Sequence, residues 1–352
     1  MASKFHKHSV AEIARVTPVC YVTDREIWSH LVTPMVRALL GPIDFASSKI
    51  QVLETTRGLF PGDEVSNLND HRLYGGQAGF IRFPYLHSFY KTENGAFIVK
   101  RDGVKFEAIG WFGDVLKGRA ELIFKAALRD RRHDGTKAVN DCALVEFAGY
   151  DDPQLNRPLP AELASAEISV YGFLPGSRVV ASCGDPQLDL FIEKPFQFMD
   201  RPELFLSLFK QAWNSQRAPG QNAAAIPDVS RLISPQFDAI AKKRRYDVLE
   251  AAPSHYHVAM WARALGYQFT DPAQAKVFND LGAGIGRIKA AGISLNRAQE
   301  SWVCVIQSLR PVDLIPKELY LGGPVWPQDN IGPQNLWMNK PLNEKAKKLL
   351  TK

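Results

Sequence analysis

The apolar positions Ile27, Trp28, Leu31, Val32, Met35, Leu39 and Leu40 recur at the spacing of one helix face. Thr23-Asp24-Arg25-Glu26 precedes them as a capping box. In that arrangement the threonine hydroxyl takes an amide hydrogen bond from the third helical residue, whose carboxylate reaches back to the threonine amide. Pro34 predicts a kink or a restart, and Gly41-Pro42 ends the helix. Residues 41–78 carry no period and are punctuated by Pro61-Gly62 and Gly75-Gly76. From Gly79 the pattern changes to short runs rich in aromatic and β-branched residues, at 80–83, 97–99, 106–109 and 122–124, which read as strands. Asn94-Gly95 supplies a hairpin turn, because both central positions of a type I′ turn need positive φ, and Asp102-Gly103 supplies a second.

Residues 151–162 form a linker rich in Pro, Asp and Asn, where the paired Asp151-Asp152 fits turn chemistry. Three strand-like segments follow, near 166–174, 177–183 and 187–194. After residue 199 the pattern turns helical. Asp200-Arg201-Pro202-Glu203, Ser234-Pro235 and Thr270-Asp271-Pro272 each offer a polar cap with a proline in the first turn. Ser294 precedes a stripe of Trp302, Val305, Ile306 and Leu309. The Lys-rich tail 340–352 has Leu342, Leu349 and Leu350 as its apolar anchors. The fold class is therefore α+β, with mainly helical N- and C-terminal parts and a β-rich middle. The expected divisions are a helical N-terminal arm and element at 1–78, a β-rich middle or projection at 79–198, and a helical C-terminal part with an extended tail at 199–352. This is not the regular strand–helix alternation of a doubly wound or barrel enzyme.

Composition narrows the class. The composition, 45% hydrophobic and 23% charged, is the balance of a folded protein, and the length of 352 residues suits two or three domain-sized units or one large unit with an insertion. Cys20, Cys142, Cys183 and Cys304 are scattered, which reads as reduced, buried thiols of an intracellular protein and offers no structural zinc site. Residues 1–20 carry Lys4, His6, Lys7, His8, Glu12 and Arg15 and lack a signal-peptide apolar core. With no uncharged apolar run near the roughly 18–20 residues that cross a bilayer, the expected location is the cytoplasm, or a virion. The net charge of +6 permits contact with polyanions.

No P-loop, Gly-x-Ser-x-Gly elbow or His-Glu-x-x-His motif occurs. His255-Tyr256-His257 is read as a helix start, where a spacing of two places the rings about 200° apart, so no metal site is expected. The segment Asp280-Leu-Gly-Ala-Gly-Ile-Gly286 resembles the glycine-rich first motif of Rossmann-type S-adenosylmethionine-dependent methyltransferases. That resemblance implies an S-adenosylmethionine site at Asp280, Gly282, Gly284 and Gly286. Read on their own, the residues before it are helical, and the glycines suit a helix–loop–helix junction that needs close packing or positive φ.

Two basic clusters suit phosphate binding: Lys242-Lys243-Arg244-Arg245, and Arg129, Arg131 and Arg132. A solvated surface explains the same residues. The basic N-terminal arm, these clusters and the irregular aromatic- and Pro-rich stretch 310–340 give a layout similar to helix-rich coat or nucleocapsid proteins with a β-rich projection, of the kind found in small double-stranded-RNA viruses. The resemblance implies a self-assembling structural protein, a homo-oligomer that encloses or coats nucleic acid, whether RNA or DNA, without sequence preference, with neither cofactor nor membrane partner. A methyltransferase using residues 280–286 and a protein-binding module are the alternatives.

Overall fold

A computed structural model of the chain describes residues 23–34, 37, 51–53, 87–91, 95–101, 105–112, 121–130, 159–160, 162–172, 185–221, 233–327 and 336–350. In chain order the elements are α1 (Asp24–Ile27), continuing into a π turn (Trp28–Val32), β1 (Gln51–Leu53), β2 (His87–Lys91), β3 (Gly95–Arg101), β4 (Lys105–Phe112), β5 (Glu121–Asp130) and β6 (Ser165–Gly172). Then come α2 (Pro186–Glu193), a 3-10 turn (Pro195–Phe198), α3 (Pro202–Asn214), α4 (Ser234–Lys243), β7 (Val248–Ala251), α5 (Tyr256–Ala264), β8 (Gln268–Phe269), α6 (Pro272–Ala290) and α7 (Arg297–Ile306). Two 3-10 turns (Val312–Leu314 and Lys317–Leu319), β9 (Met338–Pro341) and α8 (Glu344–Leu350) complete them. The class is α+β. The chain divides into two compact units that are discontinuous in sequence: Met1–Val180 with Ala223–Glu250 and Pro341–Lys352, and Ala181–Asn222 with Ala251–Lys340. These boundaries differ from the three consecutive segments read from the sequence, because the chain leaves and re-enters each unit.

In the first unit, β1 to β6 pair antiparallel in succession, and β7 joins β6 in parallel, so the sheet is mixed. Phe97 and Val99 on β3, Phe106 and Ala108 on β4, and Ala126 and Leu128 on β5 are all fully buried. Their period of two and their register (Val99 opposite Ala108, Ala108 opposite Ala126) place them on one face. The Trp28 ring lies 6.1 Å from that of Tyr90 on β2. The capping box forms as its spacing predicts: the Thr23 amide donates to Glu26 Oε2 at 2.9 Å, and the Glu26 amide to Thr23 Oγ1 at 3.3 Å. The irregularity predicted at Pro34 is met one turn earlier. There the amide and hydroxyl of Thr33 both donate to the Trp28 carbonyl, closing the wider π ring. The tail is not extended over 344–350. It forms α8, whose Ala346 packs with Leu163 and Val248, with Leu349 and Leu350 alongside.

In the second unit, the strand expected at 187–194 is instead helix α2. Asp185 accepts the amides of Gln187 and Leu188 at 2.9 and 3.2 Å, and Pro186 opens the first turn. Leu188, Phe191 and Ile192 then fall on one buried face. Asp271 caps α6 as predicted, but α3 is preceded by Arg201 rather than capped by Asp200, and α7 uses Asn296 and Gln299 as a capping box rather than Ser294. The core centres on Trp302, fully buried and stacked on Phe191 at 5.3 Å. Its Nε1 donates to the Arg217 carbonyl at 2.7 Å. The Arg217 guanidinium in turn pairs with Asp189 and donates to the Gln221 carbonyl, both at 3.0 Å. Strands β8 and β9 pair antiparallel. Among the described residues no helix is long and apolar enough to cross a membrane. The strands expected at 80–83 and 177–183, the linker at 151–158 and the two hairpin turns lie outside the described residues, apart from Gly95, the first residue of β3.

Candidate nucleic-acid interface

Helix α4 buries Phe237, Ile240 and Ala241 and ends on the basic cluster. Lys242 and Lys243 occupy the last turn, Arg244 is the C-cap, and Arg245 follows with φ 60°. The Arg245 amide donates to the Lys242 carbonyl and the Tyr246 amide to the Ala241 carbonyl, each at 3.0 Å. This is a Schellman closure, whose left-handed position usually holds glycine. An arginine there costs roughly 1–2 kcal/mol of backbone energy. Tyr246, 1% exposed, anchors the turn from inside, while Lys242, Lys243 and Arg245 face solvent.

The cluster is braced from α1. Glu26 forms ion pairs with Lys243 and, at 2.7 Å, with Arg244. Burial pushes the Glu26 carboxyl upward, but hydrogen bonds from Lys243, the Thr23 amide, Arg244 and the Thr23 hydroxyl outweigh it and hold its pKa down to about 2. The Arg244 side chain is only 13% exposed, so its charge is largely committed to Glu26. Lys242 and Arg245 have no carboxylate partner among the described residues. Cations at a helix C-terminus also offset the macrodipole, which accounts for part of their placement. The capping box located Glu26 in the sequence. Nothing local announced that the same carboxylate would hold two cations more than 200 positions away.

Of the second predicted cluster, Arg129 lies in β5 opposite Lys105 and Glu167, and Arg131 and Arg132 fall outside the described residues.

The glycine-rich segment is neither a cofactor loop nor a helix–loop–helix junction, since residues 280–286 all lie inside the 19-residue helix α6. The strand–loop–helix arrangement that the methyltransferase resemblance implies is therefore not formed there. Asp280 pairs with Lys276 one turn back at 2.6 Å. A Cβ on Gly284 would meet Leu321 Cδ2 at 2.9 Å, and one on Gly282 would meet Tyr256 Oη at 3.0 Å. Packing explains these two glycines, whereas the site of Gly286 is open.

His255 is the N-cap of α5 rather than a member of its first turn, so its ring is not held to helical spacing from His257. The two rings lie 6.1 Å apart and nearly parallel. Each Nδ1 sits 3.0 Å from a serine hydroxyl, that of Ser254 for His255 and that of Ser301 for His257. Burial, and secondarily the neighbouring His257, pulls the His255 pKa down to about 3. Burial, and secondarily Arg297, pulls His257 down to about 4. Both imidazoles are thus neutral at neutral pH. Cys304 is buried, and burial followed by Glu300 pushes its thiol well up. Among the described residues no group of three or more His, Cys, Asp or Glu could hold a metal ion.

The described residues thus define an α+β protein that carries a braced cationic helix end. No family model matches the chain, and no curated protein or solved structure matches it.

Proposed function

We propose that the chain is a self-assembling coat protein that encloses nucleic acid through phosphate contacts without sequence preference. The observation that carries the reading is Arg245. A long cation occupies the left-handed position where glycine would be more stable, with its side chain in solvent. Backbone strain of this kind is concentrated at functional sites, although Gln216 shares the same φ. Lys242 and Lys243 precede it in the last turn of α4, and the chain's net charge is +6. Val312, Leu314 and Tyr320, along the paired 3-10 turns, expose 37%, 37% and 45% of their surfaces and offer apolar area for subunit contacts. In this reading the partners are copies of the chain and a nucleic acid, and the protein resides in the cytoplasm and in the assembled particle.

The test combines light scattering with the 260-nm to 280-nm absorbance ratio on protein eluted at moderate salt. A large discrete assembly with a raised ratio is expected. Replacing Lys242 and Arg245 by Gln should lower the slope of log affinity against log salt by about 1.8 on duplex DNA, or about 1.4 on a single strand, at roughly 0.9 or 0.7 for each phosphate no longer neutralised. A monomer free of nucleic acid would overturn the coat reading, and an unchanged slope would remove these two residues from it.

A further inference from the structure

The second unit holds an open pocket of about 250 Å³ whose apolar lining includes Phe269 of β8, Phe278 of α6 and Met338 of β9. Phe278 and Met338 are buried, at 3% and 1% exposure. The Phe269 and Phe278 rings lie 5.3 Å apart at 53°, and the half-buried Phe269 presents the accessible aromatic face. Arg263, in the last turn of α5, sets its guanidinium 5.7 Å from the centre of the Phe278 ring. It has no carboxylate partner among the described residues. Gln268 and Asn279 are exposed at the same rim. They bring amide groups that both donate and accept.

These features select a ligand class. Pockets that enclose drug-sized molecules run to roughly 300–1,000 Å³. This one suits a single planar ring system rather than a whole dinucleotide or sulfonium cofactor. An aromatic wall favours a flat π surface, which every nucleobase has. The cation above it favours an anion carried beside that ring system, as a phosphate is through the sugar, and rim amides can meet the mixed donors and acceptors of a base edge. We infer that the cavity receives one unpaired base of single-stranded nucleic acid, with Arg263 on the adjacent phosphate. The inference rests on the coat reading and deepens it: the basic turn after α4 holds the backbone anywhere along a strand, whereas this cavity requires a base that is free of its partner. Duplex gains nothing from it, because a paired, stacked base cannot enter.

The test uses the full chain, a twelve-residue oligouridine carrying 5-bromouridine, and a duplex of the same length. Ultraviolet cross-linking followed by peptide mapping is expected to find the half-buried Phe269, or the rim residues Gln268 and Asn279, attached to the base. Ala275→Phe, which fills the cavity from α6, should abolish those cross-links and weaken single-strand binding roughly 5- to 150-fold, leaving duplex affinity unchanged. Asn279→Glu, at an exposed position, should repel the strand in the same selective way and serves if Ala275→Phe does not fold. Single-strand affinity unchanged in Asn279→Glu, with cross-links mapping elsewhere, would overturn the cavity assignment and leave the coat reading standing. If the unaltered protein binds neither oligonucleotide, both fail.

Discussion

Acid should loosen the second unit well before it reaches the carboxylates, and His255 and His257 set the scale. Each ring is buried and neutral, with pKa values of about 3 and about 4 against 6.5 in an open chain. Below pH 6.5 the unfolded chain therefore takes up protons that the folded chain refuses, and stability falls as pH falls. Above pH 7 the two groups contribute a constant term. Between pH 6.5 and 5 the loss is about 1.4 kcal/mol per pH unit per histidine, or roughly 2 kcal/mol each and about 4 kcal/mol for the pair. That is a large part of the 5–15 kcal/mol typical of folded proteins. Arg297, beside His257, works in the same direction by disfavouring a second cation. Glu26 loses its contribution only between about pH 4.5 and 2, so its window does not overlap. Urea unfolding at pH 7.5 and 5.0, followed by tryptophan fluorescence, to which the buried Trp302 and Trp326 contribute, measures the difference. Replacing both histidines by Gln should cost stability at pH 7.5 and flatten the dependence between the two pH values. Equal pH dependence in the double variant and the unaltered protein would refute the reasoning.

Arg245→Gly should relieve the left-handed backbone and raise stability by about 1 kcal/mol while weakening nucleic-acid binding. A gain in melting temperature with binding unchanged would separate the strain from function. Glu26→Gln should cost about 1–2 kcal/mol after solvent screening, because the poorly exposed Arg244 loses its counterion, and should raise affinity for polyanions. Thermal melts and fluorescence anisotropy read the two effects. In α6 the glycines should diverge: Gly286→Ala, into open space, stabilises by about 0.5–1 kcal/mol, whereas Gly284→Leu collides with Leu321 and costs roughly 2 kcal/mol, as denaturant titration would show.

Features that depend on a few neighbouring residues can be read directly along the chain. The Thr23–Glu26 capping box, the Asp271-Pro272 start of α6 and the alternation that buries Phe97 and Val99 are all legible, since each rests on hydrogen bonds or side-chain periods spanning two to four positions. Short apolar runs are ambiguous. Residues 187–194 satisfy a strand pattern as well as a helical one, and the Asp185-Pro186 cap with the burial of Phe191 against Trp302 selects the helix. The glycines of 280–286 look like a loop because glycine permits one, yet packing against Leu321 and Tyr256 uses only their lack of a side chain. The candidate sites lie furthest from view. Glu26 meets Arg244, His257 meets Ser301, and Phe269 meets Phe278 and Met338 across separations that no local pattern encodes. Those partners are chosen by which apolar faces bury together, and that choice is made by the whole core at once rather than by any one segment.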